Sequence, residues 1–316
     1  MKKVIVIGSG PAGISASLYL KRSGKIDVTV ISKGMGALEK AEKIENFYGF
    51  ETAVTGAELH KRGVEGAKNL GIDFLEEQVV SLNFDENFKP VVETDKNKYI
   101  SDAVLIATGA SRKSPNIKGL KEFEGKGISY CAVCDGALYQ DKTVVVVGGG
   151  NTAVEEGIYL TRFAKEVYIV HRRDELRADK IIQERAFKND KIEFVWDSKV
   201  NEIQGDDVVN NIVIENIKTK EITNIKADGI FPYIGFTPNV SAISGQLKQN
   251  ENGFIVTDET MQTSVEGVFA AGDVRTTPLR QVITAASDGA VAGVYAGKFL
   301  QKLCSNISEN IANIPF

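Results

Sequence analysis

A glycine-rich segment between a short apolar run and a helix-like stretch constrains the fold of this chain more than any other feature. Gly8–Gly13 follows the apolar run Val4–Ile7 and precedes Ile14–Arg22, which has the pattern of a helix. An apolar run without alternation is typical of a buried strand in a parallel sheet. The GxGxxG spacing allows a tight turn and lets a pyrophosphate approach the helix N-terminus. With the next strand, Asp27–Ile31, the segment predicts a nucleotide-binding βαβ unit rather than an isolated turn.

The same order of signals occurs a second time along the chain. Thr143–Val147 is predicted to be a buried strand, Gly148–Ala153 has GxGxxA spacing, and a helix is expected from Val154 towards Phe163. Both copies continue through short strands to an apolar strand that ends at a glycine, Gly109 in the first copy and Gly235 in the second. The repeat predicts two nucleotide-binding domains of similar plan. The alternative is a pair of unrelated βαβ pieces in one large sheet.

The length of the chain and its last segment indicate how these domains are arranged. With 316 residues the chain is long for one core and sufficient for two. The part after Asn239 holds a predicted strand at Gly267–Asp273 and a helix from Val282, which is too little for a third domain. We therefore predict an α/β fold of two Rossmann-like dinucleotide-binding domains of the three-layer ββα type. Residues 1–113 and 244–316 would form the first domain, and residues 114–243 would be inserted into it.

Composition excludes several classes of protein. The net charge is −4, acids and bases are mixed along the chain, and no basic face for nucleic acid or polybasic membrane anchor is present. The apolar run Val4–Ile7 is too short for a signal peptide because Gly8 and Gly10 end it, and no stretch approaches the length that spans a bilayer. The chain has only 3 cysteines, which argues against a secreted disulfide scaffold. We expect a cytoplasmic protein whose thiols can cycle between reduced and oxidised states.

Cys131 and Cys134 form a CxxC motif that is followed directly by Asp135. A disulfide between such near neighbours removes little entropy from the unfolded chain, so the spacing suits electron transfer better than stapling. Half of a zinc site and a pair of buried thiols are the alternatives. Because Cys304 is distant and no second CxxC or HxxxH exists, we predict no metal site. Asp135 is our candidate general acid/base, with a helix cap or turn as its alternative role.

The residues that follow the second strand of each copy distinguish between nucleotides. An acid at this point binds the ribose of NAD, whereas arginine suits the 2′-phosphate of NADP. The second copy has His171-Arg172-Arg173, with Arg177 further on, and therefore predicts NADPH, with an exposed basic patch as the alternative. The first copy has Ser32-Lys33 in place of the acid, which leaves FAD open. A flavin could then pass electrons from NADPH to the CxxC disulfide and on to an external acceptor.

In this order, these motifs resemble those of the bacterial-type, low-molecular-weight thioredoxin reductases, flavoproteins of the pyridine nucleotide–disulfide oxidoreductases. The resemblance covers nearly the whole chain and is carried by Gly8–Gly13, Ala107–Ala110, Cys131–Asp135, Gly148–Glu156, His171–Arg177, Ala271–Val274 and Arg280–Gln281. It implies electron transfer from NADPH through FAD to the Cys131–Cys134 disulfide, thioredoxin or a thioredoxin-like protein as the acceptor, and a homodimer. It also implies that Cys134 is the sulfur nearer the flavin.

The resemblance assigns residues to each site. The catalytic residues would be Cys131, Cys134 and Asp135. FAD would be bound by Gly8, Ser9, Gly10, Pro11, Ala12, Gly13, Asn46, Ala107, Thr108, Gly109, Gly272, Asp273, Arg280 and Gln281. NADPH would be bound by Gly148, Gly150, Asn151, Thr152, Ala153, His171, Arg172, Arg173, Arg177, Ile234 and Gly235.

The chain departs from the family pattern at three places. Met35-Gly36-Ala37-Leu38 replaces a Gly-Gly-Gln-Leu segment that supplies a flavin-contacting amide, and Tyr48 stands where proline is usual. Ala137-Leu138 replaces an aromatic pair that helps to dock thioredoxin in some members. The last departure leaves a different thioredoxin-like or peroxiredoxin-type acceptor open. A non-catalytic NADPH redox sensor is the alternative from another class.

Overall fold

The chain passes twice between two compact units, so that one unit is inserted into the other. The computed structural model describes residues 1–41, 44–112, 116–243 and 245–312. Met1–Ser111 and Phe236–Phe316 form the first unit, and Arg112–Gly235 forms the second. Gly235, which has a φ of 101°, is the last residue of the second unit, and the strand Phe236–Pro238 begins directly after it.

The secondary structure follows the predicted order, with additional short elements. The strands are β1 Lys2–Ile7, β2 Ile26–Ser32, β3 Asp73–Glu76, β4 Val79–Phe84, β5 Pro90–Thr94, β6 Lys98–Ile100, β7 Ala103–Ile106, β8 Ala110–Arg112, β9 Thr143–Val147, β10 Glu166–Val170, β11 Ile192–Val195, β12 Ser198–Gly205, β13 Val209–Asn216, β14 Ile222–Ile225, β15 Gly229–Pro232, β16 Phe236–Pro238 and β17 Val268–Ala270. The α-helices are α1 Pro11–Arg22, α2 Gly56–Asn69, α3 Ala132–Asp135, α4 Asn151–Leu160, α5 Lys180–Phe187 and α6 Val282–Ala312. Short 3-10 segments lie at Gly36–Lys40, Gly136–Tyr139, Ser241–Ile243 and Gly272–Val274.

The first unit is a three-layer arrangement around a five-stranded parallel sheet. The strand order is β17-β7-β1-β2-β3, so the strand after Asn239 completes the sheet begun at the N-terminus. Val4 and Val6 of β1 pack on one face with α1 and α6, whereas Ile5 and Ile7 pack on the other with the antiparallel β4–β6 meander. Burial of both faces explains why β1 is apolar at successive positions.

The second unit repeats this plan on a smaller scale. Its parallel sheet has the order β11-β10-β9-β15, and β12–β14 form an antiparallel meander. Val144 and Val146 pack against α4, whereas Val145 packs with the meander residues Ile212 and Ile214. The predicted α/β class with two Rossmann-like, three-layer units is therefore confirmed.

Some elements were not predicted because their sequences carry weak periodic signals. Strand β3 is only partly buried at Phe74 and Leu75, and α5 buries just Ile182 and Ala186 of its own residues. None of the helices in the described part of the chain has an apolar stretch long enough to cross a bilayer.

Candidate active site

The two cysteines of the CxxC motif are joined by a disulfide in the second unit. Cys131 lies directly before α3, Cys134 lies within it, and their Cα atoms are 5.3 Å apart. The N–H of Cys134 donates to Sγ of Cys131 at 3.2 Å. Within the described residues, no group of three or more His, Cys, Asp or Glu side chains is placed to hold a metal ion. The Cys131–Cys134 disulfide is the oxidised form of a dithiol pair.

Glu156 and Tyr233 hold the start of α3 in place. The N–H of Ala132 donates to Oε2 of Glu156 at 3.0 Å and to the Tyr233 hydroxyl oxygen at 2.9 Å. The Tyr233 hydroxyl in turn donates to Oε2 of Glu156 at 3.2 Å. Burial raises the pKa of Glu156 above its ordinary value, although the donated hydrogen bonds oppose this effect. The position of Glu156 could have been predicted from the sequence, because it lies at helical spacing from the buried residues Ala153 and Leu160 of α4.

The Asp135 carboxylate is held by Ser129. The Ser129 hydroxyl donates to Oδ2 of Asp135 at 2.6 Å, and Ser129 is only 4% exposed. Asp135 stands at the N-cap of the 3-10 segment Gly136–Tyr139 but makes no side-chain capping bond there. Nearby, burial and then the Asp135 charge raise the pKa of Tyr139 to about 12, so that phenol stays neutral. Asp135 is thus the acid beside the disulfide whose orientation the fold controls.

In the first glycine-rich turn, two glycines are required by the backbone and one faces open space. Gly8 has a φ of 108°, and a Cβ there would collide with the Ala107 carbonyl oxygen. A Cβ on Gly13 would collide with the carbonyl oxygen of Gly8. Gly10 is the N-cap of α1 and has no side-chain cap, and apart from its chain neighbours no atom lies within 4 Å of the position its Cβ would take. Pro11 follows at the first helical position, so the helix N-terminus is open beside Gly10.

His60 contacts this turn although no sequence motif pointed to it. Oγ of Ser9 lies 3.0 Å from Nε2 of His60 and donates to the Gly34 carbonyl oxygen at 3.2 Å. Ser9 is 3% exposed, and burial lowers the pKa of His60, although a hydrogen bond with the Ser9 backbone opposes this effect. The buried hydroxyl therefore links the glycine-rich turn to α2.

The structure also brings together other residues that were predicted to bind FAD. A Cβ on Gly272 would lie 2.9 Å from the Ala12 side chain, so the Gly272–Asp273 segment lies at the start of α1. Nδ2 of Asn46 donates to Oε1 of Gln281 at 3.1 Å. Thr108 and Gly109 follow β7, and the Thr108 hydroxyl donates to the Asn239 carbonyl oxygen at 2.7 Å.

Arg280 lies between aromatic rings beside Gln281. Its guanidinium carbon is 4.3 Å from the ring centroid of Phe254 and 5.5 Å from that of Phe236. Burial lowers the pKa of Arg280, which the charge of Asp273 opposes. Nε of Arg280 is buried and has no hydrogen-bond partner among the described residues.

The second glycine-rich turn has the same geometry as the first. Gly148 has a φ of 146°, and a Cβ there would lie 2.6 Å from the Tyr233 carbonyl oxygen. Gly150 is the uncapped N-cap of α4 and, like Gly10, faces open space. Ala153 takes the place of Gly13 within the helix, next to Thr152. Ile234 and Gly235 follow β15, the strand that closes the unit.

The His171 ring packs against this turn. A Cβ on Gly149 would collide with the His171 ring, which is 5% exposed, and Nε2 of His171 has no partner among the described residues. Burial and the neighbouring Arg177 lower the pKa of His171, so it is neutral near physiological pH. His171 therefore packs under the turn rather than facing solvent, unlike the arginines that were grouped with it.

The arginines are exposed around the second turn. Arg172, Arg173 and Arg177 are all solvent-accessible, and the N–H of Arg177 donates to the Gly149 carbonyl oxygen at 2.7 Å. Asn151 exchanges hydrogen bonds with Asp179, 2.8 Å each, and Asp179 was not predicted as part of the site. An exposed guanidinium cluster beside an uncapped helix N-terminus is suited to bind phosphate groups.

Comparisons with known proteins agree with this geometry. Residues 2–289 match the model of the pyridine nucleotide-disulphide oxidoreductase family. The chain belongs to this family and is an enzyme, an oxidoreductase with a redox-active Cys131–Cys134 disulfide.

Individual relatives indicate which kind of oxidoreductase the chain resembles. A thioredoxin reductase of Peptoclostridium litorale is 44% identical over 95% of this chain and 97% of its own. A thioredoxin reductase of Bacillus subtilis (strain 168) is 43% identical over 95% of each chain. The crystal structure of a thioredoxin reductase from Streptococcus pyogenes MGAS5005 has a TM-score of 0.85 at 43% identity, covering 95% of this chain and 98% of that one. The resemblance that the sequence predicted is confirmed.

Proposed function

We propose that this chain transfers electrons from NADPH through FAD to the Cys131–Cys134 disulfide, and from there to thioredoxin or a thioredoxin-like protein. The observation that carries the proposal is the disulfide at the start of α3, in the same unit as an arginine-lined, glycine-rich turn. The names of the relatives support thioredoxin as the acceptor. A redox sensor that only binds NADPH would not need an oriented acid beside the disulfide.

The residues of the first unit fit FAD. Gly10 leaves room for a pyrophosphate to approach the backbone, and the uncapped start of α1 offers N–H donors and a positive dipole end. Arg280, whose Nε is buried without a partner among the described residues, and Gln281, which Asn46 contacts, would face the ring system. When bound, FAD supplies the two-electron link between a nicotinamide and a disulfide.

The residues of the second unit fit NADPH. Gly150 and the start of α4 would receive the pyrophosphate, as Gly10 and α1 would receive that of FAD. Arg172, Arg173 and Arg177 would pair with the 2′-phosphate, because guanidinium groups bind phosphate oxygens in bidentate fashion. His171 would act indirectly by supporting Gly149.

The cysteines and Asp135 would carry out the exchange with the partner. In the reduced pair, one thiolate attacks the partner disulfide, and the second thiol then resolves the mixed disulfide. The N–H of Cys134, 3.2 Å from Sγ of Cys131, is a donor that would favour a thiolate on Cys131. Asp135 would transfer the proton to the leaving sulfur. We further propose a cytoplasmic homodimer, in keeping with the family resemblance.

An anaerobic titration with NADPH tests the electron path. Flavin absorbance should bleach with NADPH and return when oxidised thioredoxin is added, and NADH should be at least about tenfold less effective. Cys134→Ser should keep flavin reduction and lose thioredoxin reduction. A flavin that stays oxidised in excess NADPH would exclude the proposed path.

A different thioredoxin-like acceptor is the second candidate. Leu138 is 70% exposed and Ala137 is also exposed, at positions where aromatic residues assist docking in some family members. Comparing kcat/KM for a panel of thioredoxins and related disulfide proteins from the same organism would identify the acceptor. Equal, very low values for all thioredoxins with a high value for another protein would favour this candidate.

A further inference from the structure

Ser129 connects both ends of the CxxC segment through one hydroxyl group. Oγ of Ser129 donates to Oδ2 of Asp135 at 2.6 Å and accepts the N–H of Cys131 at 3.2 Å. The same oxygen is 3.5 Å from the Cys131 carbonyl oxygen, which is a much poorer acceptor position. The single hydroxyl proton is therefore directed to Asp135, while a lone pair receives the backbone of the first cysteine.

The sheet of the second unit fixes the position of Ser129. Its N–H donates to the Ile230 carbonyl oxygen at 3.0 Å, and Ile128 forms a parallel bridge with Ile230 of β15. Ser129 is 4% exposed, so its rotamer is restricted by surrounding atoms. The anchor is independent of α3, which is held separately through Glu156 and Tyr233.

The bond to Ser129 engages Oδ2 of the Asp135 carboxylate. A carboxylate on a short side chain can rotate, and the Ser129 hydroxyl restricts this rotation. Preorganised acid/base groups of this kind raise the rate of proton transfer without changing the binding of the substrate.

We propose that Ser129 is a positioning residue for disulfide exchange, which orients Asp135 so that its proton reaches the leaving sulfur. The inference rests on the proposed function. In the exchange, a thiolate of the reduced pair forms a bond to one partner sulfur, and the partner disulfide breaks. The Asp135 carboxylate takes the proton of the remaining thiol of the pair and transfers it to the departing partner thiolate. That thiol, now a thiolate, closes the Cys131–Cys134 disulfide and releases the second partner sulfur.

The sharpest test compares Ser129→Thr with Ser129→Val in the holoenzyme. Threonine and valine have nearly the same shape, but only threonine keeps the hydroxyl, so any packing cost is shared. Thioredoxin reduction is measured as kcat and KM, and flavin reduction by NADPH is followed separately in stopped flow. Ser129→Val should lower kcat about 5- to 20-fold relative to Ser129→Thr, with KM and the rate of flavin reduction unchanged.

The Asp135→Asn background distinguishes positioning from a general structural role. If Ser129 acts through Asp135, Val in place of Thr should cost less than about twofold when Asp135 is already replaced. Equal costs in both backgrounds, or no difference between the Thr and Val variants in the native background, would overturn the inference. Asp135→Asn with unchanged thioredoxin reduction would instead contradict the proposed role of Asp135. Loss of flavin bleaching in the native enzyme would contradict the electron path itself.

Discussion

At the scale of single residues, each glycine-rich turn contains a glycine that the backbone requires and a glycine that faces open space. Gly8 and Gly148 have positive φ values. They lie against the carbonyl oxygens of Ala107 and Tyr233, the residues that follow β7 and β15. Gly10 and Gly150 have ordinary extended conformations and face open space. A side chain at the latter positions would meet no protein atom apart from its chain neighbours and would occupy the space that we propose for a pyrophosphate.

The pair Gly150→Ala and Gly148→Ala tests this distinction. Gly150→Ala should lower the free energy of unfolding by no more than about 1 kcal/mol, the scale of an N-cap change, and weaken NADPH binding at least about tenfold. Gly148→Ala should cost about 2 kcal/mol or more, because its φ of 146° and the nearby Tyr233 oxygen are incompatible with Cβ. Urea unfolding and a fluorescence titration with NADPH measure the two effects. Native NADPH affinity in Gly150→Ala would contradict the assigned site.

At the scale of elements, α3 is too short to be stable by itself and depends on contacts to other parts of its unit. Its first N–H bonds to Glu156 of α4 and to Tyr233, which follows β15. Gly136, just after α3, lies against the rings and side chains around Phe163, where a Cβ would be 3.2 Å from the ring. The short helix that contains Cys134 is therefore stabilised by contacts with α4 and with the residue that follows β15.

Tyr233→Phe tests the contribution of this anchor. The change removes the hydroxyl that donates to Glu156 and accepts from Ala132 while keeping the ring, so the second unit should lose about 1–2 kcal/mol of stability. Trp196 is the single tryptophan of the chain and lies in the second unit, so its emission during urea unfolding reports this loss. Tyr159→Phe, on the same unit, is the control and should change stability by less than about 0.5 kcal/mol.

Elements and contacts differed in how far the sequence could predict them. Strands β1 and β9 could be predicted because burial on both faces produces continuous apolar runs, and α1 and α4 because a glycine turn precedes them. The partners of Ala132 and Ser9 could not, since Tyr233 and His60 are 101 and 51 residues away. Local periodicity states which face of an element is buried, but it does not state which distant side chain meets it.

At the scale of the whole molecule, each unit has its own core and its own proposed nucleotide. The cores of the first unit combine β1, α1 and α6, whereas those of the second combine β9, α4 and the β12–β14 meander. Ligand binding to a folded unit stabilises it by about 2.7 kcal/mol at roughly 100 times the dissociation constant. Because the two units have separate cores, each nucleotide should stabilise only the unit that binds it.

Hydrogen exchange of the apoprotein tests this separation. NADP⁺ should slow exchange within residues 112–235, most strongly near Gly150 and Arg177, and leave the amides of β1 and α1 unchanged. FAD should slow exchange of the amides of β1 and α1 and leave residues 112–235 unchanged. Protection by NADP⁺ at Gly8–Gly13 would mean that the nucleotides are assigned to the wrong units.

One histidine lies in each unit, and each makes the stability of its unit depend on pH. His60 lies in the first unit and His171 in the second, and burial lowers the pKa of each below 6.5. A histidine with a lowered pKa takes up a proton more readily in the unfolded chain. Stability should therefore fall as pH decreases below about 6.5 and should be fully retained above it. The raised pKa of Glu156 gives stability the opposite dependence on pH. This contribution is the same in the native protein and in the histidine variants.

His60→Gln and His171→Gln separate the two contributions. Between about pH 7.5 and 5.5, His171→Gln should reduce the loss of stability seen by Trp196 emission, while release of flavin should keep its native pH dependence. His60→Gln should do the reverse, because its ring contacts Ser9 in the turn assigned to FAD. The double variant should show the weakest dependence on both signals. A double variant as pH-sensitive as the native protein would show that other groups dominate, since the chain has only 2 histidines.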